Sequence, residues 1–530
     1  MTRTLSFRLR QAAPGLRCST GLCRGAGLFR SAGLAALAGM FLLMSHAATG
    51  AAVPEANIVQ LPVKNDPTIA FRLWFKVGSQ NDPAGKEGLA DITASMLTDA
   101  STKANSYEQI LDKLFPLAAG YSAITSAEMT VITGRIHRDN LTEYYPLLLD
   151  AILRPAFTQQ DLDRIKSQAV NYLENTLRYS NDEELGKAVL YREIFAGSGY
   201  AHPTVGTVQA VKSITLDDVR AFYTKHYTRE NVVIGIGGGY DAALLKKLQA
   251  DLGTLPAGAP EAAPVPQPKP IDGFSVAIVE KKAPATAISM GFPINVLRGG
   301  KEWYALAVAN SWLGEHRNSS SHLYQVIREE RGLNYGDYSY IEHYPRGGQL
   351  MRPPQNAARR RQIFEIWIRP VPNETRVFAL RAALREFKHL VERGMTQEQF
   401  EQQRAFLRKY VLHYAPTTSE RLGYALDDRF YGISGSHLEL YRKMLDQLTL
   451  ADVNGAIRKH WQFGNMQIAM ITADAAGLKE ALVRNLSSPI TYKTPKPATV
   501  LAEDKEIEVF PLPVKPEQIT VMEVEKVFEK

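Results

Sequence analysis

The chain has 530 residues, with 62 Lys and Arg against 55 Asp and Glu, and a formal net charge of +7. Six of the basic residues and none of the acidic ones fall in residues 1–52, which leaves 56 against 55, a net charge of about +1, for the rest. A nearly neutral chain lacks the basic surface that phosphate backbones require, so we expect no nucleic-acid partner.

Residues 1–52 have the composition of a targeting segment. Six Arg residues precede the apolar run Leu34–Met44, and small residues such as Ala51 and Ala52 follow it. This order is typical of a secretory signal peptide, and the run is too short to cross a bilayer. We therefore expect an exported, periplasmic protein with no transmembrane segment. A mitochondrial transit peptide is the alternative, because Arg-rich leaders without acids have that composition too.

Both cysteines, Cys18 and Cys23, lie in the same leader. The rest of the chain then has no thiol, which excludes disulfides, Cys-zinc sites and Cys nucleophiles together. About 480 residues remain, enough for two to four domains with a substantial core.

Residues 53–252 predict strands and helices that alternate in uneven blocks. This order favours an α+β fold with mixed, mainly antiparallel sheets over a doubly wound one. In chain order we predict two strands within 59–78, a helix from about residue 88, a helix over 106–117, a hairpin over 121–136, helices over 140–153, 159–177, 182–195 and 216–226, a strand over 232–236 and a helix over 241–252.

A Pro/Ala-rich stretch then predicts an exposed linker at 253–273. Beyond it the first pattern returns, since ITLDDVRAFYTKHYTRENVVIGI at 214–236 matches LTLADVNGAIRKHWQFGNMQIAM at 448–470. We therefore predict two homologous domains, 53–252 and 274–495. The charged tail, 496–530, is expected to be a peripheral arm.

The stretch VGSQNDPAGKEGLADITASMLTDAS, residues 77–101, predicts a turn-rich approach and then a helix that begins near Gly88. It resembles the insulinase/pitrilysin zinc peptidases, which carry H-x-x-E-H here. In that motif two His ligate zinc and the Glu activates its water. The matching positions are Asp91, Ala94 and Ser95, so neither imidazole nor general base remains. We expect no metal in this chain, and the resemblance implies that zinc belongs to a partner chain.

The resemblance covers roughly residues 58–490. It implies two insulinase-like halves that close like a clam around the linker to enclose an unfolded peptide. It also implies a third zinc ligand, a Glu on the long helix after the first hairpin, and Glu174 is the only carboxylate near that place. Glu174 is therefore a possible remnant carboxylate or a solvated helix residue, and Asp91 is a first-turn helix acid or a chamber residue.

The second half carries Arg328 and Tyr335 seven residues apart, in the block HLYQVIREERGLNY. The resemblance implies that this pair reaches across the chamber to the substrate, where a guanidinium and a phenol stabilise the tetrahedral oxyanion. Without that role, Arg328 would end a solvated helix and Tyr335 would open a strand.

The altered zinc helix and the Arg/Tyr pair together predict a non-catalytic subunit of an exported insulinase-like zinc peptidase. Such a subunit binds unfolded peptides, supplies Arg328 and Tyr335 to a homologous zinc-bearing partner, and is inactive alone. One alternative is a peptide-binding or chaperone-like chamber without hydrolysis.

The other alternative is an active metallopeptidase with a non-standard metal site. Its donors would be Asp91 with Glu174, or the pair His316 and His322, whose separation of six is not a helical ligand spacing.

Overall fold

The computed structural model describes residues 52–530 except for 260, 316–319 and 347–349, so the leader and His316 lie outside the described residues. We call residues 52–252 the first half and 274–530 the second half. The strands are β1 (Ile58–Pro62), β2 (Thr68–Phe75), β3 (Gly120–Thr125), β4 (Thr130–His137), β5 (Val232–Gly238), β6 (Phe274–Glu280), β7 (Ala285–Ile294), β8 (Asp337–Tyr340), β9 (Gln362–Pro372), β10 (Met466–Thr472) and β11 (Ile519–Glu523).

Helices flank these strands in both halves. The α-helices are α1 (Leu89–Thr98), α2 (Tyr107–Leu114), α3 (Leu141–Leu153), α4 (Gln159–Asn171), α5 (Asp182–Ile194), α6 (Val208–Ser213), α7 (Leu216–His226), α8 (Ala242–Leu252), α9 (Lys301–Leu313), α10 (Arg376–Arg393), α11 (Gln397–Tyr410), α12 (Thr418–Tyr431), α13 (His437–Gln447), α14 (Leu450–His460), α15 (Ala475–Val483) and α16 (Ala498–Ile507). Two π-helices cover Tyr172–Ser180 and Tyr324–Glu329. Within the described ranges no helix has both the length and the apolar character needed to cross a membrane.

The two sheets have the same topology. The first has the order β1-β5-β2-β4-β3, and the second has β6-β10-β7-β9-β8 with β11 added at the β6 edge. In each, the first strand runs parallel to the last one of its repeat, β1 to β5 and β6 to β10, while the other pairs of the repeat are antiparallel. The α+β fold and the duplication are therefore confirmed.

Helices α7 and α14, which contain the repeated sequence, begin with the same capping motif. Thr215 and Thr449 each accept a hydrogen bond at 3.2 Å from the backbone N–H three residues on, at Asp218 and Asp452. Each Asp carboxylate accepts one in return from the Thr backbone, at 2.9 and 3.0 Å. Such reciprocal capping satisfies two backbone donors at each helix start.

Each half also places one helix on the sheet of the other. Helix α5 of the first half packs on β7 and β10, and α12 of the second half packs on β2 and β5. Both helices approach closely at a glycine. A Cβ at Gly186 would stand 2.9 Å from Ser289 Oγ, and one at Gly423 would stand 3.0 Å from Arg72 Cζ. This exchange joins the halves by buried contact rather than by the linker alone.

The C-terminal tail is part of the fold, so the expectation of a peripheral arm is wrong. β11 pairs in parallel with β6, with Ile519 opposite Val276. Val527 and Phe528 then enter the hydrophobic core of the first half, and Arg178 Nε donates to the Val527 carbonyl at 3.0 Å. The apolar residues spaced along this charged tail are buried because the tail covers an open sheet edge. The charged composition of the tail did not indicate this burial.

Candidate functional site

A cavity of about 1050 Å³ lies between the two halves. The first half contributes residues of α1, β3, the π-helix at 172–180, α5 and the loop 200–205. The second half contributes residues of the ranges 343–346 and 350–359, residues of β9 and side chains from the region 410–420. The helix that matches the zinc helix of the peptidases therefore faces this cavity, which is partly open to solvent.

Helix α1 is held at its start by the carboxylate of Asp82. Its oxygens accept hydrogen bonds at 2.7 Å from the backbone N–H groups of Gly88 and Ala90. Gly88 has φ 102°, and a Cβ there would stand 2.5 Å from the Val205 carbonyl oxygen, so only glycine fits. This arrangement puts Asp91 in the first turn, where it lines the cavity.

The positions that match H-x-x-E-H differ in their exposure. Ala94 is fully buried, whereas Asp91 and Ser95 are partly exposed. Burial of the Asp91 carboxyl raises its pKa to about 6. The hydrogen bond with the Thr125 hydroxyl opposes this rise, and the negative charge of Asp99 adds to it. A carboxyl with that pKa changes charge near neutral pH, but by itself it is neither a zinc site nor a hydrolytic centre.

Glu174 does not join Asp91. Its carboxylate forms an ion pair with Lys212 Nζ at 3.0 Å on the outer side of the helix. The residues of that helix that line the cavity are Tyr172 and Leu177. Burial raises the pKa of Tyr172, and the negative charges of Glu184 and Asp91 raise it further.

These residues do not fit the zinc ion that the resemblance implies. A catalytic zinc needs three protein ligands, and the matching positions Asp91, Ala94 and Ser95 offer one carboxylate, one methyl group and one hydroxyl, but no imidazole. Across the part of the chain that the structure describes, no group of three or more His, Cys, Asp or Glu side chains could hold a metal. Of the proposed pair of histidines, His322 instead forms an ion pair with Glu386, with 2.6 Å between Nε2 and Oε2.

Arg328 and Tyr335 are not among the described residues that line the cavity. The Arg328 guanidinium forms an ion pair with Glu329 at 2.8 Å and lies 4.6 Å from the ring centroid of Tyr324. The Tyr335 side chain sits just before β8 and is 79% exposed. Tyr335 is therefore exposed to solvent, whereas the Arg328 side chain is partly buried.

The wall of the cavity also contains a cluster of buried polar residues that the sequence analysis missed. Arg359, Tyr191 and Tyr200 are buried there, and the Arg359 guanidinium carbon lies 4.9 Å from both ring centroids. Glu365 accepts a hydrogen bond from Trp367 Nε1 at 3.0 Å, and burial raises its pKa to about 8. The sequence signal was the run of three Arg at 359–361 directly before the apolar strand β9.

Comparison with known proteins agrees with this geometry. The family model described as "Insulinase (Peptidase family M16)" matches residues 59–207, and the one described as "Peptidase M16 inactive domain" matches residues 213–407. Among curated proteins, the "Non-peptidase homolog YmxG" of Helicobacter pylori is 23% identical over 81% of this chain and 95% of its own length. An "Uncharacterized zinc protease YmxG" of Bacillus subtilis is 24% identical over 56% of this chain and 70% of its own length.

Solved structures show the same fold. A peptidase M16 inactive domain from Pseudomonas fluorescens superimposes with a TM-score of 0.69 at 22% identity, covering 79% of this chain and 95% of that one. A protease from Helicobacter pylori gives 0.63 at 16% identity, covering 78% and 96%. The chain belongs to the insulinase (M16) peptidase family, as the two family models, the duplicated sheets and the altered zinc helix together show.

Proposed function

We propose that this chain is a non-catalytic subunit of an exported two-chain zinc peptidase. It holds unfolded peptide in its cavity, and a homologous partner carries the zinc. The observation that carries this proposal is the state of α1, which keeps its place at the cavity but presents Asp91, Ala94 and Ser95 where two His and a Glu would stand.

The size of the cavity supports binding of a peptide. Its volume, about 1050 Å³, is slightly larger than the roughly 300–1,000 Å³ typical of small-molecule sites. Tyr172, Tyr191 and Trp367 line it together with charged groups. Aromatic surface with a few polar groups binds chains of varied sequence, because the rings offer apolar area while the polar groups orient the backbone.

The exposure of Arg328 and Tyr335 supports their action on a second chain. A side chain that stabilises an oxyanion in a partner's site has to be accessible from outside its own fold. Tyr335 meets this condition, and Arg328 is partly exposed, with contacts to Glu329 and to the ring of Tyr324. A phenol and a guanidinium that donate to a developing oxyanion accelerate acyl transfer.

The test uses a homologous chain with intact H-x-x-E-H, purified with and without this protein. We expect hydrolysis of unfolded peptides by the pair and none by this chain alone. Arg328→Ala and Tyr335→Phe should each lower the kcat/KM of the pair about 10²-fold. Arg484→Ala is the matched control, because Arg484 is also an exposed Arg paired with a nearby Glu, at 2.6 Å. Hydrolysis by this chain alone that a chelator abolishes would contradict the proposal.

A second candidate is a chamber that holds peptides without any hydrolysis. The position of Arg328 and Tyr335 away from the cavity favours it, as does the polar group at Arg359 inside the cavity. The two candidates separate in the same experiment. If both variants leave the turnover of the pair unchanged while this chain still binds peptide, the holding function is the better description.

Export is part of the proposal and has its own test. The Arg-rich leader with its apolar run at Leu34–Met44 supports a signal peptide. We expect the protein purified from its natural cell fraction to begin near residue 53, as read by N-terminal mass spectrometry. A chain that retains residues 1–52 would contradict this part.

A further inference from the structure

One cation in the wall of the cavity, Arg359, forms no ion pair with any of the described residues. The side chain of Arg359 is 6% exposed, and its Nε and Nη1 atoms have no hydrogen-bond acceptor among the described residues. Its contacts are to the faces of Tyr191 and Tyr200. Rings of this kind stabilise a guanidinium through their electron-rich faces, but they leave its N–H donors unused.

The nearest carboxyl groups do not neutralise Arg359. Burial raises the pKa of Glu365 to about 8, so that this carboxyl is largely protonated at neutral pH. Glu128 accepts hydrogen bonds from Arg360 and from the Tyr200 hydroxyl, so its negative charge is already paired with Arg360. A buried charge without a partner is unfavourable by several kcal/mol, and an arriving anion with good geometry offsets that penalty.

Other polar atoms near Arg359 also lack hydrogen-bond partners among the described residues. The Tyr191 hydroxyl and the Nδ1 atom of His343 have no partner among the described residues, and the two rings meet edge to face at 5.2 Å. Burial lowers the pKa of His343, and the positive charge of Arg359 lowers it further, so the imidazole is neutral. Glu365 also has one oxygen, Oε1, without a partner. A guanidinium, a phenol and a protonated carboxyl are donors, and the neutral His343 imidazole donates from Nδ1 in the tautomer that carries its proton there. Such donors suit an anionic acceptor.

We infer that Arg359, with Tyr191 and His343, forms a binding site for the C-terminal carboxylate of a peptide that enters the cavity. This inference rests on the proposed peptide-binding function and adds the end of the peptide that is recognised. A carboxylate supplies the acceptor oxygens that the Arg359 donors lack. The aromatic walls and the volume of the cavity accommodate the residues that precede it.

The test measures binding of an unstructured peptide to the full chain by fluorescence anisotropy, comparing the free acid with the C-terminal amide. We expect the free acid to bind about 10–100-fold more tightly, because hydrogen bonds to charged groups contribute roughly 1.5–3 kcal/mol. Arg359→Gln should remove this difference. Arg352→Gln is the matched control in the same cavity, because Arg352 already forms an ion pair with Glu420 at 3.1 Å.

A third peptide separates the two sources of a carboxylate. It is amidated at the C-terminus and carries one internal Glu, and we expect it to bind like the amide without Glu. Tight binding of this peptide would overturn the assignment to the C-terminus. Equal binding of acid and amide by the unchanged protein would overturn the site itself, and that comparison does not depend on the folding of any variant.

The outcomes also separate this inference from the proposed function. If acid and amide bind equally well, peptide binding stands and the carboxylate site fails. If neither peptide binds, the peptide-holding function fails as well. Unfolding curves should show that Arg359→Gln is at least as stable as the unchanged protein, since it removes an unpaired buried charge.

Discussion

The carboxylate of Glu128, in the turn between β3 and β4, accepts a hydrogen bond at 2.7 Å from the backbone N–H of Arg360, which precedes β9 in the second half. The two side chains also form an ion pair. Glu128 is only 3% exposed in its side chain, and Gln80 Nε2 donates to it at 3.3 Å. One carboxylate thus binds both halves beside the cavity.

Glu128→Gln is expected to weaken this connection. The change leaves Arg360 with a neutral partner, and a partly exposed Arg that loses its buried counter-charge should lower the free energy of unfolding by about 1–3 kcal/mol. Urea unfolding followed by circular dichroism measures the change. Glu480→Gln removes a carboxylate from an exposed pair and should change the value by less than about 1 kcal/mol. Equal effects of the two substitutions would mean that Glu128 does not join the halves.

Asp91 should make the stability depend on pH. Its pKa is about 6 in the folded protein and near 3.8 in the unfolded chain, so between about pH 4 and pH 6 the folded state binds more protons. Stability therefore falls as pH rises through that window and stays lower above it. Asp91→Asn removes this loss, and we expect it to be more stable than the unchanged protein at pH 7, by no more than about 3 kcal/mol, but not at pH 4.

The control for Asp91 is another acid in the first turn of a helix, Asp217 of α7, whose side chain is 92% exposed. Asp217→Asn should show no comparable pH-dependent gain. A gain from Asp91→Asn that is the same at pH 4 and pH 7 would contradict the pKa assignment, because a helix-dipole or packing effect at an uncharged carboxyl does not follow this titration.

Metal analysis addresses the remaining alternative, a non-standard catalytic site. After dialysis against zinc-containing and then metal-free buffer, we expect far less than one zinc per chain by plasma mass spectrometry. The physical reason is the donor set at α1, where Asp91 is the only strong ligand and Glu174 is paired with Lys212. One zinc per chain that Asp91→Asn removes would establish the alternative.

The helix exchange can be tested at Gly423. A methyl group there meets the Gln355 side chain at 2.8 Å and the Arg72 guanidinium at 3.0 Å, so Gly423→Ala should destabilise the protein by about 1–3 kcal/mol. Gly455, in α14, has open space around the same position. Gly455→Ala should stabilise by up to about 1 kcal/mol through helix propensity. Stabilisation by both substitutions would mean that α12 does not pack closely on the first sheet.

Local patterns in the sequence were sufficient for most elements of the fold. Capping boxes at Thr215 and Thr449 and alternating strands such as β2 depend on neighbours within a few residues, so they are readable directly. The exchange of α5 and α12 and the pairing of β11 join residues far apart in the chain. Local patterns do not indicate contacts of this kind, because the partner residues lie outside any short window of sequence.

The candidate site was harder to predict from the sequence, because it too depends on tertiary contacts. The resemblance implies a Glu ligand on the long helix, and Glu174 is the only carboxylate near that place, but the helix continues with π spacing over Tyr172–Ser180. The wider turn changes which side chains share a face, so Tyr172 lines the cavity. Arg359 escaped notice because a run of three Arg is ordinarily solvated, and only the tertiary structure buries its first member.

The burial of Val527 and Phe528 in the first core has a consequence for how the chain is made. The ribosome makes these residues only after β6 to β11, long after the rest of the first half. Until then the core around β2 and α1 lacks two of its side chains, and Arg178 lacks the carbonyl it binds. The growing polypeptide therefore cannot complete the core of its first half before the second half has also been synthesised.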